Sequence, residues 1–250
     1  VCIKQSSATS GTIFELCYNP DNKSVIERHI KDFTLSSSLV STADVGAIIA
    51  EAAEAAPANS YAMVFAGHGT GWIPRVLAAS SVSTLALGYD AWIPAEGAEV
   101  TRNFGESNVK LDISEITESI EYSGIELDYI LFDACFMSNI EAVYDLRNSA
   151  KYIIASPCEI MGKGFPYHRT LPHLFGESYN LRSAAESYYL FYRDEYNGSA
   201  RCGSVALYDC AEVEALAEAT KIVMQSANLD IDTSKLQTYE GQTEEHHFYD

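Results

Sequence analysis

Apolar and polar positions along this chain follow two different periods. Val1 to Gln5 and Thr12 to Tyr18 alternate as strands around a Ser-Ala-Thr-Ser-Gly turn, and Val25 to Ile30 continues the sheet after Pro20-Asp21-Asn22. Ser41-Thr42-Ala43-Asp44 has the form of a capping box, in which a hydroxyl and an acid satisfy free N–H groups. It opens a helix to about Ala56 with Val45, Ile48 and Ile49 on one face, stopped by Pro57 and Asn59. Tyr61-Ala62-Met63-Val64-Phe65 then reads as a buried strand.

Both periods lapse between residues 70 and 110, where Gly71, Pro74, Gly88, Pro94, Gly97 and Gly105 punctuate the chain. An unpatterned insertion of about 40 residues is unusual in a compact domain, and loops of that length are usually functional or mobile. Order resumes at Leu111, with Asp112 capping a helix to about Tyr122 and Ile113, Ile116 and Ile120 forming its stripe. Tyr129 to Phe132 is the next strand, followed by a helix from about Ser138 to Leu146 and a strand from Tyr152 to Ser156. An aromatic-rich helix from Arg182 to Tyr196, a strand from Ser204 to Tyr208 and a helix from Glu212 to Gln225 complete the pattern. Alternation of strand and helix predicts an α/β fold with a mostly parallel central sheet covered by helices on both faces. Residues 1–250 are read as a single domain.

Composition narrows the field. A hydrophobic fraction of 47% and a mean hydropathy of -0.06 are those of a chain with a substantial core, and no apolar run approaches the roughly 20 residues of a membrane span. A net charge of -19 argues against nucleic acid, because binding phosphates needs clustered Lys and Arg. The same acidity favours a cationic partner or substrate, although it serves solubility more often. Cysteines stand at 2, 17, 135, 158, 202 and 210 without the spacing of a zinc site. Cys2, Cys158, Cys202 and Cys210 lie in or beside apolar strands and read as buried, reduced thiols. Val1 falls inside a strand pattern and Phe248-Tyr249-Asp250 carries no stop signal, so both ends are expected to be cuts in a longer precursor.

Two strand ends carry the chemistry: Phe65-Ala66-Gly67-His68-Gly69 and Leu131-Phe132-Asp133-Ala134-Cys135. Neighbouring parallel strands lie about 4.8 Å apart, and their C-terminal ends are where ligands bind in open α/β sheets. An imidazole and a thiol at adjacent tips form the nucleophile and base of a cysteine peptidase. Taken singly, Gly-His-Gly reads more readily as a tight turn and Asp-Ala-Cys as a buried cysteine beside a helix cap; together, at strand tips of one sheet, they point to catalysis. A helix starting near Ser138 is expected to lower the Cys135 pKa through its dipole. Competing chemistries lack their signatures: GxSxG, HExxH, the P-loop and GxGxxG are absent. His246 and His247 lie in an acidic tail and read as solvated, and no metal site is assigned.

Tyr61 to Trp72, with its strand, His-Gly and Gly-Trp, resembles the clostripain-like family of cysteine peptidases. Leu131 to Met137, followed by Glu141 and Tyr144, is similar to that family's Asp-Ala-Cys segment, and Ala155-Ser156-Pro157 with Gly164-Phe165-Pro166-Tyr167 to its pocket loop. The resemblance implies a caspase-like α/β/α sandwich and a Cys–His dyad, with Cys135 as nucleophile and His68 as acid and base. It implies an oxyanion hole from the N–H groups of Gly69 and Cys135, and cleavage after Arg or Lys held by Asp133, with Ser156 and Glu159 in the substrate pocket. It further implies self-cleavage between the two catalytic residues, for which Arg75, Arg102 and Lys110 are candidates, and a secreted or envelope-attached monomer or processed two-chain form. Calcium is the one cofactor it leaves open.

The chain departs from the family in three places. The first family strand is missing, the segment between His68 and Cys135 is long, and Lys163 and Pro166 stand in the pocket loop where relatives often carry another acid. Lys163 there would repel a basic side chain. Two further readings therefore stay open: a peptidase with a non-basic preference, and an inactive peptidase-like binding module. An unrelated flavodoxin-like domain is a weaker third, since no phosphate-binding loop is present.

Overall fold

A computed structural model describes residues 1–7, 9–35, 41–69, 71, 111–176, 178–198, 201, 203–226, 232 and 235–236. Strands β1 (Cys2–Gln5), β2 (Ser10–Asn19) and β3 (Ser24–Thr34) form an antiparallel meander. Strands β4 (Tyr61–Ala66), β5 (Leu127–Asp133), β6 (Ala150–Ala155) and β7 (Ala206–Asp209) form a second sheet in that order. The β4–β5 and β5–β6 pairs are parallel, and β7 runs antiparallel along the edge.

Local chemistry accounts for the helices. The Ser41 hydroxyl accepts the Asp44 N–H at 3.5 Å to open α1 (Thr42–Ala55). Glu115 closes a capping box on α2 (Ile113–Ser123) by accepting the Asp112 N–H at 2.8 Å, and Gly124 ends that helix in the left-handed conformation. Helix α3 (Ile140–Leu146) is short and capped by Asn139. It begins two residues later than the sequence pattern suggests, because residues 135–138 form a turn. Helix α4 (Tyr167–Leu174) was not legible in the sequence: Pro172 lies within it and interrupts the helical pattern. Helices α5 (Leu181–Glu195) and α6 (Val213–Ser226) match their expected spans closely.

The sheet is a wall between two cores. Ile130 and Phe132 of β5 pack with Ile49 of α1, Ile116 and Ile120 of α2, and Val143 and Leu146 of α3. Tyr129 and Leu131 face the other way, onto Leu174 of α4 and Leu181, Ala184, Tyr188 and Tyr192 of α5. This is the period-2 consequence of a strand buried on both faces. The second layer does not cover β4 to the same degree: Val64 is 42% exposed. Leu131, Ile153 and Ile154 are wholly buried, so β5, the strand that leads to Cys135, is anchored in the part of the fold least able to shift. No helix among the described residues is long and apolar enough to cross a membrane.

Candidate active site

Register decides what meets at the end of the sheet. Ala66 of β4 pairs with Asp133 of β5, so His68 and Cys135 each lie two residues beyond a matched pair. The ladder continues past the strands through the Gly67 N–H, which donates to the Asp133 carbonyl at 3.3 Å. Gly69 is buried against the second tip. A methyl group built on it would overlap the Cys135 carbonyl oxygen and lie 3.0 Å from Cγ and Sδ of Met137. Only a residue without Cβ brings the two turns this close. His68 is exposed, on the solvent side of the pair.

The turn after Cys135 is held from several directions. Phe136 is a non-glycine residue with φ +59 and is almost fully buried. Its N–H donates to the Cys158 carbonyl at 3.1 Å, and its carbonyl accepts from Asn139 Nδ2 at 2.5 Å. A left-handed conformation at a bulky residue costs of order 1–3 kcal/mol and persists only where the surroundings enforce it. Here the Ser138 N–H bonds the Ser156 carbonyl at 3.1 Å, and Tyr208 donates to the Ser138 carbonyl at 2.9 Å.

Cys135 itself sits under the loop that follows β6. The Ile160 N–H donates to Sγ at 3.2 Å. Burial pushes the thiol pKa up; the Ile160 hydrogen bond opposes this, and the negative charges of Glu159 and Asp133 add to it. The expected depression by a helix dipole is therefore corrected. Helix α3 starts at Ile140, beyond the Cys135 turn, and its Ala142 N–H is taken by the Asn139 side chain. The Ile160 amide is the largest of the backbone donors that favour thiolate, and the Cys135 amide adds to it.

Asp133 points into the same loop. The Phe165 N–H donates to Oδ1 at 3.1 Å and the Tyr167 hydroxyl to Oδ2 at 2.8 Å. Gly164, at φ +62, passes so close that a Cβ there would lie 2.6 Å from Oδ2. Burial raises the carboxyl pKa, and the Tyr167 and Phe165 hydrogen bonds oppose it. Tyr167 is pushed far above its ordinary value by burial and by the Asp133 charge, so it remains a phenol and a donor. The loop is tied behind by Tyr192, which donates to the Gly164 carbonyl at 2.8 Å.

The structure thus brings Gly69, Cys135, Asp133 and Glu159 to one end of the sheet, with His68 at its rim. Glu159 is half-buried and its carboxyl pKa is raised by burial. Ser156 is wholly buried, and its hydroxyl is used up on the backbone of Cys158, accepting from the N–H at 3.1 Å and donating to the carbonyl at 3.0 Å. It holds the loop and does not face outward. Lys163 is exposed, one residue before the glycine that touches Asp133. Arg75, Arg102, Lys110, Cys202, His246 and His247 lie outside the described residues. Of the cysteines described, Cys210 is buried as expected, whereas Cys2 and Cys158 are half-buried, against expectation. The resemblance placed Tyr167 in the pocket loop without its contact to Asp133, and the Ile160 amide was missed, since a partner some twenty-five to thirty-four positions away gives no local signal. A cavity of about 750 Å³ among Arg147, Lys151, Tyr152, Asp209 and Glu214 opens at the other end of the sheet and touches none of these residues.

A sandwich of helices on a mostly parallel sheet, with cysteine and histidine turns at its C-terminal edge, defines a caspase-like fold. The model of the clostripain family (Peptidase_C11) matches residues 17–250, and the chain belongs to that family. It is similar in structure to a secreted C11 cysteine protease of Bacteroides thetaiotaomicron, iotapain, at 29% identity and a TM-score of 0.79, over 96% of this chain and 64% of that one. It also resembles an inactive zymogen C11 protease of Parabacteroides distasonis, at 25% identity and a TM-score of 0.75, over 99% of this chain and 63% of that one. A clostripain of B. thetaiotaomicron ATCC 29148 in complex with the peptide inhibitor BTN-VLTK-AOMK is 32% identical, with a TM-score of 0.50, over 55% of this chain and 60% of that one. The chain therefore spans just under two thirds of the length of these relatives. No curated protein matches it in sequence.

Proposed function

We propose that this chain is the catalytic core of a cysteine endopeptidase that cleaves after basic residues. The observation that carries the reading is the β4–β5 register, which sets the His68 and Cys135 turns side by side with Gly69 in backbone contact with Cys135. His68 takes the proton of the Cys135 thiol. The thiolate adds to the scissile carbonyl carbon, and the Gly69 and Cys135 N–H groups receive the oxyanion. The imidazolium then protonates the leaving amine, and water, deprotonated by His68, hydrolyses the thioester. Among the described residues Asp133 and Glu159 are the acids beside the nucleophile; the Asp133 carboxylate is held by the Phe165 N–H and the Tyr167 hydroxyl, and it takes the cationic head of the P1 residue. The relative bound to a peptide ending in lysine supports this choice.

Burial raises the Cys135 thiol pKa, which supports a zymogen that matures by self-cleavage after Arg75, Arg102 or Lys110. The relative described as secreted supports a secreted or envelope-attached location for this chain. Among the described residues no cluster of three or more His, Cys, Asp and Glu could hold a metal ion, so calcium has no fitted site there and no step uses it. The test is hydrolysis of P1-Arg, P1-Lys and P1-neutral peptide reporters, with Cys135→Ala as control and mass spectrometry of the chain before and after activation. Cleavage of basic reporters that is abolished in Cys135→Ala is expected. Activity confined to neutral reporters would sink the Asp133 assignment, and no activity on any would favour a binding module.

A further inference from the structure

We infer that Tyr167 is a specificity-determining residue that makes the Asp133 pocket prefer a lysine to an arginine at P1. This rests on the basic-P1 reading above and deepens it. A carboxylate offers about four lone-pair directions, two on each oxygen. Side-on recognition of a guanidinium takes one from each oxygen in a single plane. At Asp133 each oxygen already carries one donor, the Phe165 N–H on Oδ1 and the Tyr167 hydroxyl on Oδ2. Neither is incidental. Phe165 is 1% exposed, Tyr167 opens α4, and the stretch between them is held by the Tyr192 hydroxyl on the Gly164 carbonyl. The left-handed Gly164 lets the backbone lie against the carboxylate, which crowds the second oxygen further.

An ammonium has different needs. It is a compact charge with three rotatable donors, so one remaining lone pair of Asp133 suffices. A second donor can go to the Tyr167 oxygen, whose own proton is already committed to Asp133. The fork of an arginine needs the one direction left on each oxygen at once, and Gly164 lies across both, a Cβ there falling 2.6 Å from Oδ2 and 2.8 Å from Oδ1. Burial keeps Tyr167 a phenol, so this arrangement persists across the working pH range.

The experiment compares kcat/KM for matched P1-Lys and P1-Arg reporters in the activated wild-type protein and in Tyr167→Phe, which removes only the hydroxyl. The wild type is expected to favour lysine, and the variant to shift the Lys:Arg ratio at least fivefold toward arginine. A merely structural role would lower both rates together and leave the ratio in place. A ratio unchanged within twofold, with both reporters still cleaved, overturns the role of Tyr167 and leaves the basic-P1 reading standing. Cleavage of neutral reporters alone overturns both. If Tyr167→Phe fails to fold, the wild-type ratio still decides: preference for arginine refutes the inference, and preference for lysine supports it.

Discussion

Replacing Gly69 by alanine is the sharpest probe of the two-tip geometry. The added methyl would overlap the Cys135 carbonyl oxygen and press on Cγ and Sδ of Met137 at 3.0 Å. Met137 is a flexible side chain and can yield, but it is fully buried. The carbonyl cannot yield without moving the residue that carries the nucleophile. Overpacking of this kind costs typically 1–3 kcal/mol, and in a chain of this size each kcal/mol lowers Tm by about 2–4 °C. A fall of about 4–8 °C is therefore expected for a 2 kcal/mol penalty. The effect on activity is larger. Misplacing the Gly69 N–H by about 1 Å is expected to cost on the order of 10²-fold, and complete loss of an oxyanion donor 10²–10³-fold in kcat, about 2.7–4 kcal/mol. Differential scanning fluorimetry and reporter kinetics on Gly69→Ala give both numbers. Adding Met137→Ala relieves the side-chain clash but not the carbonyl clash, so it should not restore kcat. Wild-type activity in Gly69→Ala, or full rescue by Met137→Ala, would refute the reasoning that the two turns touch through their backbones.

Three further outcomes are expected. Asp133→Asn should reduce kcat/KM on basic reporters by about 30-fold or more, because truncating one side of a buried charged contact costs about 2–5 kcal/mol. It should not lower Tm at pH 7, since burial disfavours the charge it removes; equal loss on neutral reporters would contradict it. Gly164→Ala should damage the same contact through a methyl 2.6 Å from Oδ2 and a strained φ, seen as a rise in KM for basic reporters before any fall in Tm. The third outcome concerns alkaline pH. Burial pushes Cys210 up to about 11 and Tyr129 up to about 12. Groups whose pKa is raised on folding contribute stability that is complete below their unfolded pKa and is lost as pH rises through the folded value. Denaturant unfolding should therefore show stability falling from about pH 9 upward, and Cys210→Val should flatten the limb between about pH 9 and 11. A parallel decline in that variant would exclude the thiol as a cause.

How much of the site could be read in the chain differs from residue to residue. The His68 and Cys135 turns were legible because each closes an apolar run, and strand period and glycine placement are properties of neighbouring residues. Helices α1 and α2 were legible for the same reason, through Ser41 and Asp112 and their spaced isoleucines. The α3 boundary was misjudged because Ser138 resembles a cap, whereas the Asn139 side chain accepts the Ala142 N–H at 2.9 Å. Helix α4 was not seen because Pro172 conceals its period.

The sequence by itself determined which residues can do chemistry here: a thiol, an imidazole, a glycine and an acid, each at the end of a strand. Tertiary structure decided the state in which they are held. Loop 156–167 returns over β5 and lays the Ile160 amide on the Cys135 sulfur and Tyr167 on Asp133. It also brings the Cys158 carbonyl to the N–H of Phe136, which keeps its left-handed turn. Desolvation, and with it the direction of each pKa shift, depends on what covers a group. For these residues the cover is supplied by segments more than twenty positions away, which no local pattern around the strand ends encodes.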